Sequence, residues 1–528
     1  MGPFLFALGV QNMISKLKSK FNTWYLDDGT AADKAEIVLS DLKHIIKEGR
    51  EIGLDLNSSK CEIFINDPDP DIAARILSDF REVAPDIRSI NDSTLCLLGA
   101  PILENAFDAA LDSKLDELKR MVTRLAIMNR HEAFFLLKSC LFIPKLLFIL
   151  RSTPFYNLNK LTAMDECLYD SLTSLLNIDL EQNMRKQISL PVKMGGFGIR
   201  SLKDLSLPAY LSSVYKSSKI MEIISPATMK DESCSDATLA EDIWKNIPGI
   251  TTADYPQNTS IQQLWDQPIC KVIYNSLVEA STNVKDRARY NAITQEHSSD
   301  WLNALPNANL GLKLNNNQFR TACALRLGAR ICHSHTCICG AEVGSDGVHG
   351  LSCKKSAGRH PRHSACNDLI KRSLCSADFS AIREPLGVSR SDGKRPDGMT
   401  MFPWKNGKCL LWDYTCSDTL APSNLNASAK EAGKAAKEGE VRKIKKYEHL
   451  LTEYHFIPIS VETFGTWGEI GLKFIKEVGS LIAEKTKEKR STCFLFQALS
   501  IALQRGNYLA LTGTLGETDA CLEEIFFL

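Results

Sequence analysis

The chain carries no net charge, because 63 Asp and Glu balance 63 Lys and Arg. That balance excludes a uniformly basic nucleic-acid binder and confines any such contact to local patches. No secretory signal precedes the 17 cysteines, whose number is odd and whose positions are mostly scattered. They read as thiols of a reducing compartment, most of them filling core space. The apolar run Pro3-Phe4-Leu5-Phe6-Ala7-Leu8-Gly9-Val10 lacks a preceding basic residue and a small-residue cleavage site. It is also too short to span a bilayer, so it reads as buried helix. No internal repeat and no clear nuclear import signal are present.

What is there describes an ordinary globular protein, 44% hydrophobic and 24% charged, with room in 528 residues for two to four domains. Helix is expected over residues 4–20 and 33–53, the latter with Val38, Leu39, Leu42, Ile45 and Ile46 on one face. Between them a strand, tight turn and strand fit Tyr25 to Gly29. Short strands are expected at 53–56 and 61–65. Residues 106–219 read as mainly helical, broken at Pro144, Pro154 and Gly195-Gly196, the paired glycines suiting a turn with close backbone approach. The polar stretch 225–260 holds Pro226, Pro248, Gly249 and Pro256 and reads as a linker. After Arg359 the order helix, three strands, long helix, strand, two helices describes a mixed α/β domain.

Two basic series stand out. One runs from Lys354 and Lys355 through Arg359, His360, Arg362 and His363 to Lys371 and Arg372. The other comprises Lys430, Lys434, Lys437, Arg442, Lys443, Lys445 and Lys446. Either is a nucleic-acid contact or a solvated helix face.

Three constellations carry chemistry. Tyr25-Leu26-Asp27-Asp28 sets adjacent carboxylates on a turn between strands, where they can hold divalent metal at a nucleotide's phosphates. Cys337, Cys339, His349 and Cys353 supply three thiolates and an imidazole with no carboxylate, the donor set of a closed structural zinc site. Cys332, His333 and His335 lie just upstream and could substitute in it. Arg395-Pro396-Asp397-Gly398 and Leu411-Trp412-Asp413-Tyr414 put Asp397 and Asp413 on consecutive strands joined by Asn406-Gly407, a strong hairpin signal. Two in-register carboxylates on paired strands, with Glu384 one element earlier, suit metal ions beside a scissile phosphate, and a lysine nearby would stabilise the developing charge. Where many such nucleases have that lysine there is Thr415, but the helix carrying Lys443, Lys445, Lys446 and Tyr447 could return an ammonium group to the spot.

In this order, Pro3–Leu8, Tyr25–Asp28, Gly53-Leu54-Asp55-Leu56-Asn57-Ser58-Ser59-Lys60-Cys61 and Leu97-Leu98-Gly99-Ala100-Pro101-Ile102 resemble the late palm motifs of reverse transcriptases from non-LTR retrotransposons. The segments Ala133–Lys138, Ile143–Leu146 with Arg151, and Leu190–Ile199 resemble the thumb and the region after it. The Cys/His cluster and the Asp…Asp-x-Thr…Lys-Tyr order look like the knuckle and restriction-like endonuclease of the early-branching members. The resemblance implies that Asp27 and Asp28 are catalytic and bind magnesium, that Lys60 lies near the incoming nucleotide's phosphates, and that Leu98-Gly99 belongs to a primer grip. It likewise implies catalytic, magnesium-binding roles for Asp397 and Asp413, with Lys446 the best lysine. Glu384 is a further catalytic acid and Glu462 another candidate for the set, and Arg395 is a substrate contact.

The implied architecture is a multidomain α/β and α chain. It comprises a partial palm (1–105), a helical thumb-like region (106–225), a linker and helical region (226–330), a zinc knuckle (331–358), a restriction-endonuclease-like α/β domain (359–515) and a C-terminal tail (516–528). In the family another catalytic aspartate precedes the Pro3–Leu8 helix, so this chain alone is expected not to polymerise. The expected surviving activity is magnesium- or manganese-dependent DNA nicking in target-primed reverse transcription. Its partners would be target DNA and element RNA, with zinc in the knuckle, no membrane, and a nuclear location after cytoplasmic synthesis. Two other readings remain: a non-catalytic nucleic-acid-binding remnant, and a fragment of a longer active reverse transcriptase.

Overall fold

Short apolar strands and amphipathic helices alternate through the first hundred residues, and longer helices dominate the rest. The computed structural model describes residues 2–157, 159–224, 234–388, 393–516 and 522–527. The chain is a mixed α/β protein, mainly helical with small sheets, and forms two units, Met1–Asp116 and Glu117–Leu528.

The first unit contains α1 (Gly2–Ile14), β1 (Phe21–Tyr25), β2 (Asp28–Ala32), α2 (Ala35–Glu51), β3 (Glu62–Phe64), α3 (Pro70–Val83), β4 (Arg88–Ile90), β5 (Cys96–Leu97) and β6 (Ala100–Pro101). Helix α4 (Glu104–Leu125) runs across the boundary. The apolar face of α2, through Val38, Leu39 and Leu42, packs with Ile63, Phe80, Ala84 and Ile87. Three expectations need correction. The first helix stops at Ile14 because Asp41 of α2 captures the amides of Lys18 and Ser19 at 2.9 and 2.8 Å, holding that segment extended. That helix is not buried throughout: Val10 and Met13 are, but Phe4, Leu5 and Leu8 are exposed. No strand forms at 53–56, since Gly53 turns with φ +80° and the Leu54 amide returns to the Gly49 carbonyl at the end of α2.

The second unit begins with α5 (Arg130–Leu136), α6 (Ile143–Ser152), α7 (Asn159–Leu176), α8 (Gln182–Ser189), α9 (Leu202–Ile224), α10 (Cys234–Lys245), α11 (Gln262–Ala280), α12 (Val284–Ile293) and α13 (Asn316–Leu327). The break expected at Pro144 falls two residues earlier: a π-helical segment, Leu137–Leu141, ends α5, and Phe142, with φ −90° and ψ −93°, separates it from α6 within the apolar helical span Arg130–Ser152. That span has a mean hydropathy of 2.1 and the length to cross a bilayer; here Phe134, Leu137, Ile149 and Leu150 are buried in the bundle. Helix α13 shows how local sequence sets ends: Asn315 and Gln318 form a reciprocal capping box, and Gly328 closes the helix in the left-handed region. Within the expected linker, residues 225–233 lie outside the described residues. The described part is folded, with Trp244 of α10 buried edge-on against Trp265 of α11.

A small hairpin, β7 (His335–Thr336) and β8 (Glu342–Val343), and one turn of helix, α14 (His349–Ser352), lead into the mixed region. There follow α15 (Arg359–Ser376), β9 (Ala381–Arg383), β10 (Gly398–Lys405), β11 (Lys408–Ser417), α16 (Leu425–Ser428), α17 (Lys434–Lys446), β12 (His455–Glu462), α18 (Glu469–Thr486), α19 (Ser491–Thr512) and α20 (Leu522–Ile525). The long elements follow the expected order. The sheet runs β12-β11-β10-β9, with β11 and β12 parallel and the other pairs antiparallel. Successive residues of β11 serve opposite faces. Leu410, Trp412 and Tyr414 join the core under α15, α18 and α19, while Leu411 packs with Tyr447 and Phe456 toward α17. The Asn406-Gly407 turn has φ of 51° and 75°, the paired positive angles of a two-residue hairpin. Within the expected C-terminal tail, residues 517–521 and 528 lie outside the described residues. Phe526, by contrast, is buried and bridged to Cys332.

Candidate active site and metal centre

The sheet brings the two downstream carboxylates together at one end. Gly398 opens β10 and pairs with Trp412, and Asp397, just ahead of the strand, donates its amide to the Trp412 carbonyl at 3.0 Å, which sets it beside Asp413. Glycine is required at 398, because a Cβ there would lie 2.0 Å from the Trp412 ring. Asp397 is anchored by three donors: the Tyr414 amide at 2.7 Å, Asn367 Nδ2 at 3.1 Å and His363 Nε2 at 3.0 Å. Asn367 is itself fixed by accepting the Trp412 indole N–H at 3.0 Å. Burial pushes the Asp397 carboxyl up, but His363, the Tyr414 amide and the Lys443 charge outweigh it and hold it below its ordinary value. Conversely, burial lowers the His363 imidazole, and Asp397 more than compensates, leaving it raised.

Asp413 has a side chain only 3% exposed and is met by two ammonium groups from α17. Lys443 forms a direct ion pair with Oδ1, and Lys446 lies 3.8 Å from Oδ2. Burial, together with the neighbouring Lys443, lowers Lys446 against the opposing pull of Asp413. Lys446 also donates to the Tyr447 hydroxyl at 2.7 Å, which in turn donates to the Arg395 carbonyl at 2.7 Å. Helix α17 approaches closely because Gly439 faces Ser460, where a Cβ would be 2.3 Å from the hydroxyl.

Of the other expected acids, Glu384 turns to an ion pair with Arg395 on the surface. Glu462 is fully buried and accepts from Thr419 Oγ1 at 2.9 Å and the Ala436 amide at 3.2 Å, holding the first turn of α17. Sequence reasoning ranked Lys446 ahead of Lys443, which makes the closer contact, and it did not single out His363 or Asn367. Their i, i+4 spacing on a helix ahead of the strands was the available signal.

The Cys/His donors converge. Cys337 Sγ lies 3.7 Å from Cys353 Sγ, and Cys339 Sγ lies 3.3 Å from His349 Nε2. All four ligand atoms fall within 4.8 Å of one another, a set that one tetrahedral zinc ion fits. Burial raises the Cys337 thiol to about 11, whereas the Ala341 amide brings Cys339 down to about 7. Cys332, His333 and His335 take no part: Cys332 contacts the Gly344 carbonyl, and His335 bonds the His333 carbonyl and Thr514. The module packs on α19, where Ser356 Oγ donates to the Ala510 carbonyl and Arg362 reaches Asn507.

In the first unit, Tyr25 pairs with Asp28 across a two-residue turn, Leu26-Asp27, so Asp27 and Asp28 stand exposed at a hairpin tip. Lys60 ends a 3-10 turn, and among the described residues no hydrogen bond or ion pair joins it to either aspartate. Leu98 and Gly99 form the turn between β5 and β6, with φ of 51° and 79°.

No family model matches the chain. It is 22% identical over 411 residues to the retrotransposable element SLACS 132 kDa protein of Trypanosoma brucei gambiense, covering 75% of this chain. The alignment takes in 29% of that protein, so the chain spans less than a third of the curated relative it matches. The similarity supports a retrotransposon-derived origin.

Proposed function

We propose that the chain is part of a retrotransposon polyprotein and that its α/β region nicks DNA with magnesium or manganese. The carrying observation is Asp397, bonded to the Trp412 carbonyl and the Tyr414 amide on either side of Asp413, with Lys443 and Lys446 projected onto Asp413 from α17. Neighbouring carboxylates are a donor set suited to a hard divalent cation. Such an ion, held by Asp397 and Asp413, would polarise the scissile phosphate and acidify an attacking water. His363, Asn367 and the Tyr414 amide fix Asp397 so that its position is set before substrate arrives. Lys443 and Lys446 offset the negative charge that grows on the phosphate, and the Tyr447–Arg395 bond steadies the strand end beside them.

In this reading the product 3′-hydroxyl primes copying of element RNA by a polymerase whose palm includes Asp27 and Asp28. The partners are target DNA and element RNA, and the site of action is the nucleus. Zinc held by Cys337, Cys339, His349 and Cys353 closes the module that joins the α/β region to the helices before it. A second reading, a binding protein without catalysis, is favoured by one feature: Asp413 is already neutralised by lysine. Supercoiled plasmid incubated with the purified, zinc-loaded protein separates the two. Metal-dependent nicking that disappears in Asp413→Ala supports the nuclease, and no nicking from the folded wild type supports the binding protein.

A further inference from the structure

The two basic series of the sequence have different fates in the structure. In the second, Lys434 and Lys437 pair with Glu431 at 3.0 and 3.7 Å, and Arg442 pairs with Glu438 at 3.7 Å. Its Lys443 and Lys446 belong to the carboxylate site. That series is largely neutralised within its own helix and the turn before it. In the first, Lys354, Lys355, Arg359 and His360 are all exposed. None makes a side-chain hydrogen bond or ion pair among the described residues.

These four side chains do not sit on a loose tail. Residues between and just after them anchor the backbone: Ser356 Oγ donates to the Ala510 carbonyl at 2.7 Å, and Arg362 Nη1 reaches Asn507 at 2.8 Å while Nη2 reaches the Leu351 carbonyl at 3.2 Å. Gly358 lies so close to α19 that a Cβ would be 2.1 Å from the Ala510 amide nitrogen. Buried residues therefore alternate with outward cations on a fixed support. The position is equally specific. The stretch begins immediately after the zinc ligand Cys353 and ends one helical turn, about 5 Å, before His363, which bonds Asp397.

We propose that Lys354, Lys355, Arg359 and His360 form a phosphate-backbone contact for double-stranded DNA, leading the duplex from the zinc module to the Asp397–Asp413 centre. The inference rests on the nuclease reading for its choice of DNA over RNA. Preorganised, unpaired cations displace condensed counterions without first breaking protein ion pairs, so their contribution is electrostatic and independent of base sequence. Zero net charge over the whole chain makes a local patch of this kind the expected device.

The test is equilibrium binding of a short labelled duplex, with EDTA-stripped buffer and intact zinc loading, across a salt series. The variant K354Q/K355Q/R359Q/H360Q removes three permanent charges, so the slope of log affinity against log salt should fall by about 3, with affinity about tenfold lower or worse at physiological salt. K434Q/K437Q, removing cations already paired, should leave the slope within experimental error. Should the quadruple variant melt below wild type, K355Q alone should still lower the slope by about 1. An unchanged slope overturns the proposal, as does a loss confined to an RNA competitor with DNA binding intact. Binding lost in the patch variant while wild type fails to nick would leave this contact standing and remove the nuclease reading. Nicking by wild type with binding indifferent to the patch would do the reverse.

Discussion

Replacing Gly439 by alanine perturbs the site without touching any charged group in it. The new Cβ would lie 2.3 Å from Ser460 Oγ, 3.1 Å from Ser417 Oγ and 3.2 Å from Ser460 Cβ. Rotating Ser460 relieves only the first contact, so α17 must give by a few tenths of an ångström to ease the other two. Overpacking of this kind costs about 2–3 kcal/mol, and alanine's helix propensity returns about 1, leaving a net loss of about 1–2 kcal/mol. In a unit of this size that is a fall of a few °C in melting temperature, with ~1 kcal/mol corresponding to a few degrees. Lys443 lies one turn further along the same helix, so the shift also carries its ammonium away from Asp413. Single-turnover nicking should fall by up to about tenfold, and Ser460→Gly added to Gly439→Ala should recover most of both losses. The assays are a thermal melt and a plasmid nicking time course. A Gly439→Ala protein that melts and nicks as wild type would refute the packing argument.

Other outcomes follow from separate parts of the molecule. The purified protein should carry one zinc per chain, and Cys353→Ser or prolonged chelation should release it and lower the melting temperature of the second unit; metal analysis and a melt check this, and an unchanged melt without zinc contradicts it. His131 is pushed down to about 4, chiefly by burial, so the unfolded chain binds the extra proton between pH 6.5 and 4. Its contribution to stability is complete above pH 6.5 and is lost as pH falls toward 4, amounting to about 3 kcal/mol. Denaturation midpoints of wild type and His131→Gln should therefore converge with acidification, and parallel curves would exclude the effect. Arg200 holds Asp266 in a two-pronged pair at 3.0 and 2.7 Å, with side chains 9% and 14% exposed. Removing one partner leaves a buried charge, so Arg200→Ala should destabilise by about 3–5 kcal/mol, readable as a shift in urea midpoint.

Local signals were legible where one kind of residue forces one geometry. Asn406-Gly407 gives a two-residue turn, but two register shifts between that turn and Met399, not the turn itself, set the pairing of Gly398 with Trp412 beside Asp397 and Asp413. The Cys337, Cys339, His349, Cys353 set converges as its donor types suggested. What propensity did not reveal was decided by long-range contacts. Asp41 ends the first helix from more than twenty residues away, and Gly49 takes the Leu54 amide that a strand would have used. Trp244 packs into a stretch whose prolines suggested a linker. The choice between Lys443 and Lys446 turned on helix rotation against β11, and the roles of His363 and Asn367 depended on where α15 crosses the sheet. Glu462 looked like a site acid on charge alone, but its burial at the start of α17 makes it a helix anchor.

The most direct measurement is the magnesium dependence of single-turnover plasmid nicking by wild type, Asp397→Asn and Asp413→Asn, with duplex binding followed in parallel. The account predicts saturable, metal-dependent nicking in wild type and its loss in both variants, while both still bind DNA and retain zinc. Equal nicking by all three proteins, or none by a folded wild type at any magnesium or manganese concentration, would contradict it.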